Sequence, residues 1–227
     1  KPLWTKPEEQ EKFINLWKDL SSFLNKWPQG MVAYEIMNEP VADDPEQWNT
    51  LVAKVVSAIR VLEPSRTIVI GSNRWQSAQT FDQLKIPTGD RNILLSYHFY
   101  EPFYLSHIHA SWTRLKDFTG EVQYPGQIVV NGNTPEEQRI YNRDTLEKMM
   151  AKPFHLADSL HLPLYCGEFG IIDGAPLVSK LAWYQDMVSI FKKHHVAFAN
   201  WNYKTGSFGI VDKDIKPDEK VVSILVK

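Results

Sequence analysis

The chain has 227 residues, 43% of them hydrophobic and 23% charged, and its 25 basic and 27 acidic side chains leave a formal net charge of −2. That length supports one domain, residues 1–227, with a substantial core. The balanced charge carries no basic stripe and so offers no footprint for nucleic acid. No apolar run approaches the roughly 20 residues of a membrane-spanning helix, so no membrane partner is expected. The opening Lys1-Pro2-Leu3-Trp4 lacks a signal-peptide apolar stretch. A lone cysteine, Cys166, excludes an intramolecular disulfide, a state open to cytosolic and secreted proteins alike.

In chain order, Phe13, Leu16, Trp17, Leu20, Phe23 and Trp27 recur at three- and four-residue intervals and predict a first helix, stopped by Pro28 and Gly30. Met31 to Met37 reads as a buried strand. Asp44, with Pro45 behind it and Gln47 at the capping-box position, predicts a second helix start. Its apolar stripe is Trp48, Leu51, Val52, Val55, Ile59 and Leu62. Thr67–Gly71 and Ile93–Tyr100 are the next strands. From Glu101 to Asn133 runs a long segment without an obvious element, a length usually tied to function or disorder, and its many aromatics argue against disorder. Thr134-Pro135-Glu136-Glu137 predicts a capped helix broken near Pro153. Leu164–Gly167 reads as a strand, Leu177–His194 as a helix, Val196–Trp201 as the last strand and Pro217–Val226 as a closing helix. The alternation is α/β, with about five parallel strands and outer helices.

Enzymes built on barrels of such units carry their chemistry at the C-terminal strand ends. Here those ends read Asn38-Glu39-Pro40, Gly71-Ser72-Asn73, His98-Phe99-Tyr100, Gly167-Glu168-Phe169-Gly170 and Trp201-Asn202-Tyr203. Two of them, on different strands, are glutamates. Glycoside hydrolysis needs such a pair: one carboxylic acid protonates the leaving oxygen while the other carboxylate attacks the anomeric carbon, with roughly 5–5.5 Å between them in retaining enzymes. Taken singly, a strand-end glutamate is more often a surface or ion-pair residue. Eight Trp, nine Tyr and eleven Phe supply either a large aromatic core or flat faces for pyranose rings. Trp75 lines a cleft or packs in the core, and Trp112 and Tyr124 bind distant sugars or pack their loop on itself. The histidines have no metal-ligand spacing of the zincin type, so no metal site is assigned. Cys166 is read as a small core residue turned away from Glu168.

The sequence resembles glycoside hydrolase family 5, of the clan of (β/α)8 glycosidases. Tyr34-Glu35-Ile36-Met37-Asn38-Glu39-Pro40 is similar to the family's fourth-strand signature, His98-Phe99-Tyr100 to its sixth, Gly167-Glu168-Phe169-Gly170 to its seventh, and Trp201 to its eighth-strand tryptophan. The resemblance implies a retaining hydrolase of β-1,4-glucans, of cellulase type and without a cofactor. Related specificities, a β-glucosidase or a mannanase, share the same glutamates. Glu39 would be the acid/base and Glu168 the nucleophile. Asn38 would bind the sugar 2-hydroxyl, Tyr100 would hold the nucleophile, His98 would bind sugar or orient the glutamates, and Trp201 would floor the cleavage subsite. A secreted or periplasmic location follows from the same resemblance, since polymeric glucan lies outside cells.

The family places three βα units ahead of Asn38-Glu39-Pro40, and this sequence shows none of their strands and only the third helix. The expectation is therefore a partial (β/α)8 barrel whose first three strands are absent, a fragment that binds glucan without cleaving it being the rival reading. Its edge strands would expose backbone groups that invite pairing and self-association into a homo-oligomer. Glu35, of the same parity as Glu39, is expected to point inward and to be costly as a buried, unpaired charge.

Overall fold

The computed structural model describes residues 1–129, 139–204 and 206–226. The parallel sheet is built from β1 (Tyr34–Glu35), β2 (Ile68–Gly71), β3 (Ile93–Phe99), β7 (Leu164–Phe169) and β8 (Ala197–Asn200), in the order β1-β2-β3-β7-β8. Tyr34 pairs with Ile68, and Ile68 with Ile93, and each successive pair keeps register. The Leu95 amide donates to the Pro163 carbonyl and joins β3 to β7, while the Trp201 amide donates to Phe169 at the end of β7. Helices precede or follow these strands, and the architecture is that of a partial (β/α)8 barrel with five of the eight strands among the described residues. None of the described helices is long and apolar enough to cross a membrane.

The chain divides into two compact units, residues 1–97 with 152–165, and residues 98–151 with 166–227. In the first, helices α1 (Pro2–Thr5) and α2 (Pro7–Leu24) accompany α3 (Pro45–Leu62). The capping box at Asp44 forms as expected: its carboxylate accepts from the Glu46 amide at 2.9 Å, and Gln47 accepts from the Asp44 amide at 3.2 Å. Trp48, Leu51, Val52, Val55 and Ile59 are buried on α3, and the Trp48 indole donates to the Gly71 carbonyl. Trp4 meets Trp48 edge-on at 6.2 Å. In the second unit Phe169 of β7 sits among Trp183, Tyr184, Phe191 and Phe198, at centroid distances of 5.0–5.9 Å.

Several expectations need correction. Of the stripe read on the first helix, Trp17 is buried, whereas Leu16, Phe23 and Trp27 are exposed; the buried positions on α2 are Ile14, Trp17 and Ser21. A polar residue lies inward there because Ser21 donates to the buried carboxylate of Glu63 at 2.7 Å. The segment after β3 carries structure of its own, a short helix Phe103–Ser106 and an antiparallel sheet of β4 (Glu121–Val122), β5 (Gly126–Val129) and β6 (Ile140–Tyr141). Tyr124 is buried within it and gives its hydroxyl to Asp186 at 2.6 Å, which makes it an anchor of the segment. The Thr134–Glu137 helix start lies outside the described residues. The break expected near Pro153 falls at Met150, and Pro153 occupies the first turn of the following helix, where its missing N–H costs nothing.

Candidate active site

Beyond β1 the chain reaches Asn38, which is exposed, and Glu39, which is half-buried at φ 50°. The group that organises this turn is Gln76, fully buried and not anticipated from the sequence. Its Oε1 accepts from the Glu39 amide at 2.8 Å, and its Nε2 donates to Glu35 and to the Ser96 hydroxyl, each at 3.1 Å. The three contacts fix the orientation of the amide, since the oxygen must face the N–H and the NH2 the carboxylate. Glu35 is exposed and accepts from Gln76, so the cost expected of an unpaired buried charge does not arise.

Gln76 reaches this position through three successive left-handed residues, Arg74, Trp75 and Gln76, with φ of 58°, 61° and 53°. Such backbone is disfavoured for residues with a Cβ. It persists here because both ends are pinned: the Trp75 amide donates to the Pro40 carbonyl, and Asn73 exchanges two hydrogen bonds with the Ala42 backbone. Gly71 is required on the same account, because a Cβ there would run into the Gln76 side chain. Trp75 itself is exposed.

The second unit gathers the other candidates. Tyr100, just past β3, donates its hydroxyl to Glu168 Oε2 at 2.9 Å, and His98 Nδ1 lies 3.6 Å from the same oxygen. His98 is buried and Glu168 half-buried. A phenolic O–H aimed at one carboxylate oxygen favours the ionised form and restricts its rotation. At the end of β8 the Trp201–Asn202 peptide is cis, and Trp201 is 46% exposed. Gly170 faces the Trp201 carbonyl so closely that a side chain there would displace it. Trp112, also exposed, approaches His107 and Phe208 at 6.4 Å from each.

Cys166 is fully buried as expected, but it shares a strand face with Glu168, two residues on. Its thiol contacts the Glu168 carbonyl at 3.4 Å. Burial, and then the nearby Glu168 charge, push the thiol well above its ordinary range, so it is no nucleophile.

The sequence profile of the cellulase family, glycosyl hydrolase family 5, matches residues 2–207. The chain belongs to glycoside hydrolase family 5. Endoglucanase C of Acetivibrio thermocellus is 30% identical to this family 5 chain over 239 residues, covering 99% of it and 69% of that protein. The crystal structure of endoglucanase Cel5A from Thermotoga maritima superposes with a TM-score of 0.83 at 25% identity, over 99% of this chain and 69% of the other. A structure of that enzyme in complex with cellobiose gives a TM-score of 0.82, again at 25% identity, over 99% and 69% of the two chains. As a family 5 member the chain is a glycosidase.

Proposed function

We propose that this glycosidase cleaves β-1,4-glucosidic bonds of cellulose or related β-glucans by double displacement, with Glu168 as nucleophile and Glu39 as acid/base. The observation that carries the reading is the Tyr100 hydroxyl 2.9 Å from Glu168 Oε2, the arrangement that keeps a nucleophilic carboxylate ionised and aimed. Glu39 gives its proton to the glycosidic oxygen as a Glu168 oxygen attacks the anomeric carbon, so the leaving sugar departs as an alcohol and a glycosyl ester remains. Glu39, now ionised, takes a proton from water, whose oxygen displaces Glu168. Asn38 binds the 2-hydroxyl, His98 orients the nucleophile or binds sugar, and Trp201, Trp75 and Trp112 offer exposed rings to pyranose faces. None of these steps calls for a cofactor.

Endoglucanase activity in relatives supports the glucan assignment. The test is incubation with carboxymethylcellulose, mannan and an aryl β-cellobioside. Release of reducing ends from the first and of phenol from the third is expected; turnover of mannan alone would reassign the substrate, and turnover of none would leave a glucan-binding fragment. A polymeric substrate also argues for a secreted or periplasmic site of action.

Self-association belongs to the same reading. Among the described residues, strands β1 and β8 each have one sheet neighbour, and unpaired strand edges template pairing with another chain. Light scattering is expected to give a mass above that of one 26.3 kDa chain; a monodisperse monomer contradicts it.

A further inference from the structure

We infer that Ser106 is a positioning residue that fixes both the carbonyl of Tyr100 and the tautomer of His107. The inference rests on the reading of Glu168 as nucleophile, because Tyr100 is the group that holds Glu168. Ser106 closes the short helix after β3 and has no exposed surface. Its Oγ lies 2.5 Å from the Tyr100 carbonyl oxygen, 2.8 Å from His107 Nδ1 and 3.4 Å from the Phe103 carbonyl oxygen. Its own carbonyl accepts from the Ile172 amide at 3.0 Å, so one residue ties the chain beyond β3 to the chain beyond β7.

The assignment of protons follows from what each atom is able to do. A carbonyl oxygen only accepts, so the single Ser106 hydroxyl proton is committed to Tyr100. Toward His107 the Ser106 oxygen is therefore an acceptor, and Nδ1 carries the imidazole proton. Neutral His107 then presents Nε2 as a lone pair, opposite to the form that free imidazole side chains favour. The ring is held in this orientation by stacking on Phe103, at 4.3 Å and 18° between planes, and by edge contacts with Tyr100 at 5.1 Å and Phe208 at 5.2 Å. Tyr100 is thus gripped through its backbone by Ser106 and through its ring by His107, and this grip sets where its hydroxyl meets Glu168.

The test combines nitrogen NMR of the imidazoles with kinetics of Ser106→Ala and Ser106→Thr. His107 is assigned among the seven histidines by the signal missing from His107→Gln. At neutral pH the wild-type ring is expected to be protonated on Nδ1, and Ser106→Ala to move the proton to Nε2. Loss of one such hydrogen bond should lower kcat about tenfold with KM little changed, and Ser106→Thr, which keeps the hydroxyl, should restore both. A wild-type ring protonated on Nε2, or an Ala variant with the original tautomer or an unchanged kcat, overturns the inference. The wild-type spectrum decides alone if the Ala variant does not fold. If no substrate is turned over, the nucleophile reading fails while the tautomer still reports on Ser106.

Discussion

Replacing Glu168 with Gln is expected to reduce turnover of an aryl β-cellobioside on the order of 10⁴-fold or more, the scale of losing a covalent nucleophile. The fold should be unaffected, because Gln keeps the shape of Glu and its amide oxygen accepts from the Tyr100 hydroxyl. Glu39→Ala should behave differently. With an activated aryl leaving group that needs no protonation, the first displacement survives and the second is slow, so a burst of phenol precedes a low steady state. Added azide, a nucleophile that needs no base, should restore turnover in Glu39→Ala and leave Glu168→Gln inactive. Equal residual rates in both variants, with no burst in either, would mean that the two carboxylates do not divide the work in this way.

The largest expected loss of stability lies at a buried ion pair, Glu63 with Arg66. Glu63, the residue that ends α3, accepts from Ser21 at 2.7 Å and from the Tyr34 hydroxyl at 2.6 Å. Its other oxygen accepts from Arg66 Nε at 2.7 Å. Arg66 is fully buried, reaches the Val32 and Trp27 carbonyls, and lies over the Tyr34 ring at 5.0 Å. One network therefore fastens α2, the approach to β1 and the end of α3. Arg66→Met strands the Glu63 carboxylate and should cost about 3–5 kcal/mol, read as a fall in the urea midpoint.

The same site predicts a pH dependence. Burial opposes the charged form of Glu63, but the hydrogen bonds from Tyr34, Ser21 and Arg66 outweigh it and hold the carboxyl below its ordinary range. Burial, followed by the Glu63 hydrogen bond, pushes Tyr34 up to about 12, so it stays a neutral donor. A carboxyl depressed on folding stabilises the protein above its unfolded value and loses that contribution as pH falls through the folded one. Stability should therefore decline from neutral to acid pH, and Glu63→Gln should flatten part of that decline while lowering the neutral value. Parallel wild-type and variant curves would contradict this account.

The five parallel strands and the family membership were legible because both rest on local signals. Alternating apolar runs fix strands, and Asn38-Glu39-Pro40, His98-Phe99-Tyr100 and Gly167-Glu168-Phe169-Gly170 each bundle rare residue types in a few positions. What escaped depends on partners distant in sequence. Gln76 carries no pattern that marks it as the clamp on Glu39; it becomes one because the backbone turns left-handed for three residues. Glu63 and Arg66, three apart at a helix end, carry no local mark of burial, and their partners Ser21 and Tyr34 come from elsewhere in the chain. The buried face of α2 departs from the apolar stripe because spacing counts every apolar side chain, whereas the packed face admits Ser21 and leaves Leu16 and Phe23 outside. The antiparallel strands after β3 are two to four residues long, too short for periodicity to declare them.

Trapping decides the central proposal most directly. Incubation with a 2-deoxy-2-fluoro-β-cellobioside bearing an activated leaving group, followed by peptide mass spectrometry, should find one fluorinated disaccharide esterified to Glu168, and none in Glu168→Gln. An ester on another carboxylate, or rapid hydrolysis of ordinary aryl β-cellobioside with inversion at the anomeric carbon, would contradict double displacement through this residue.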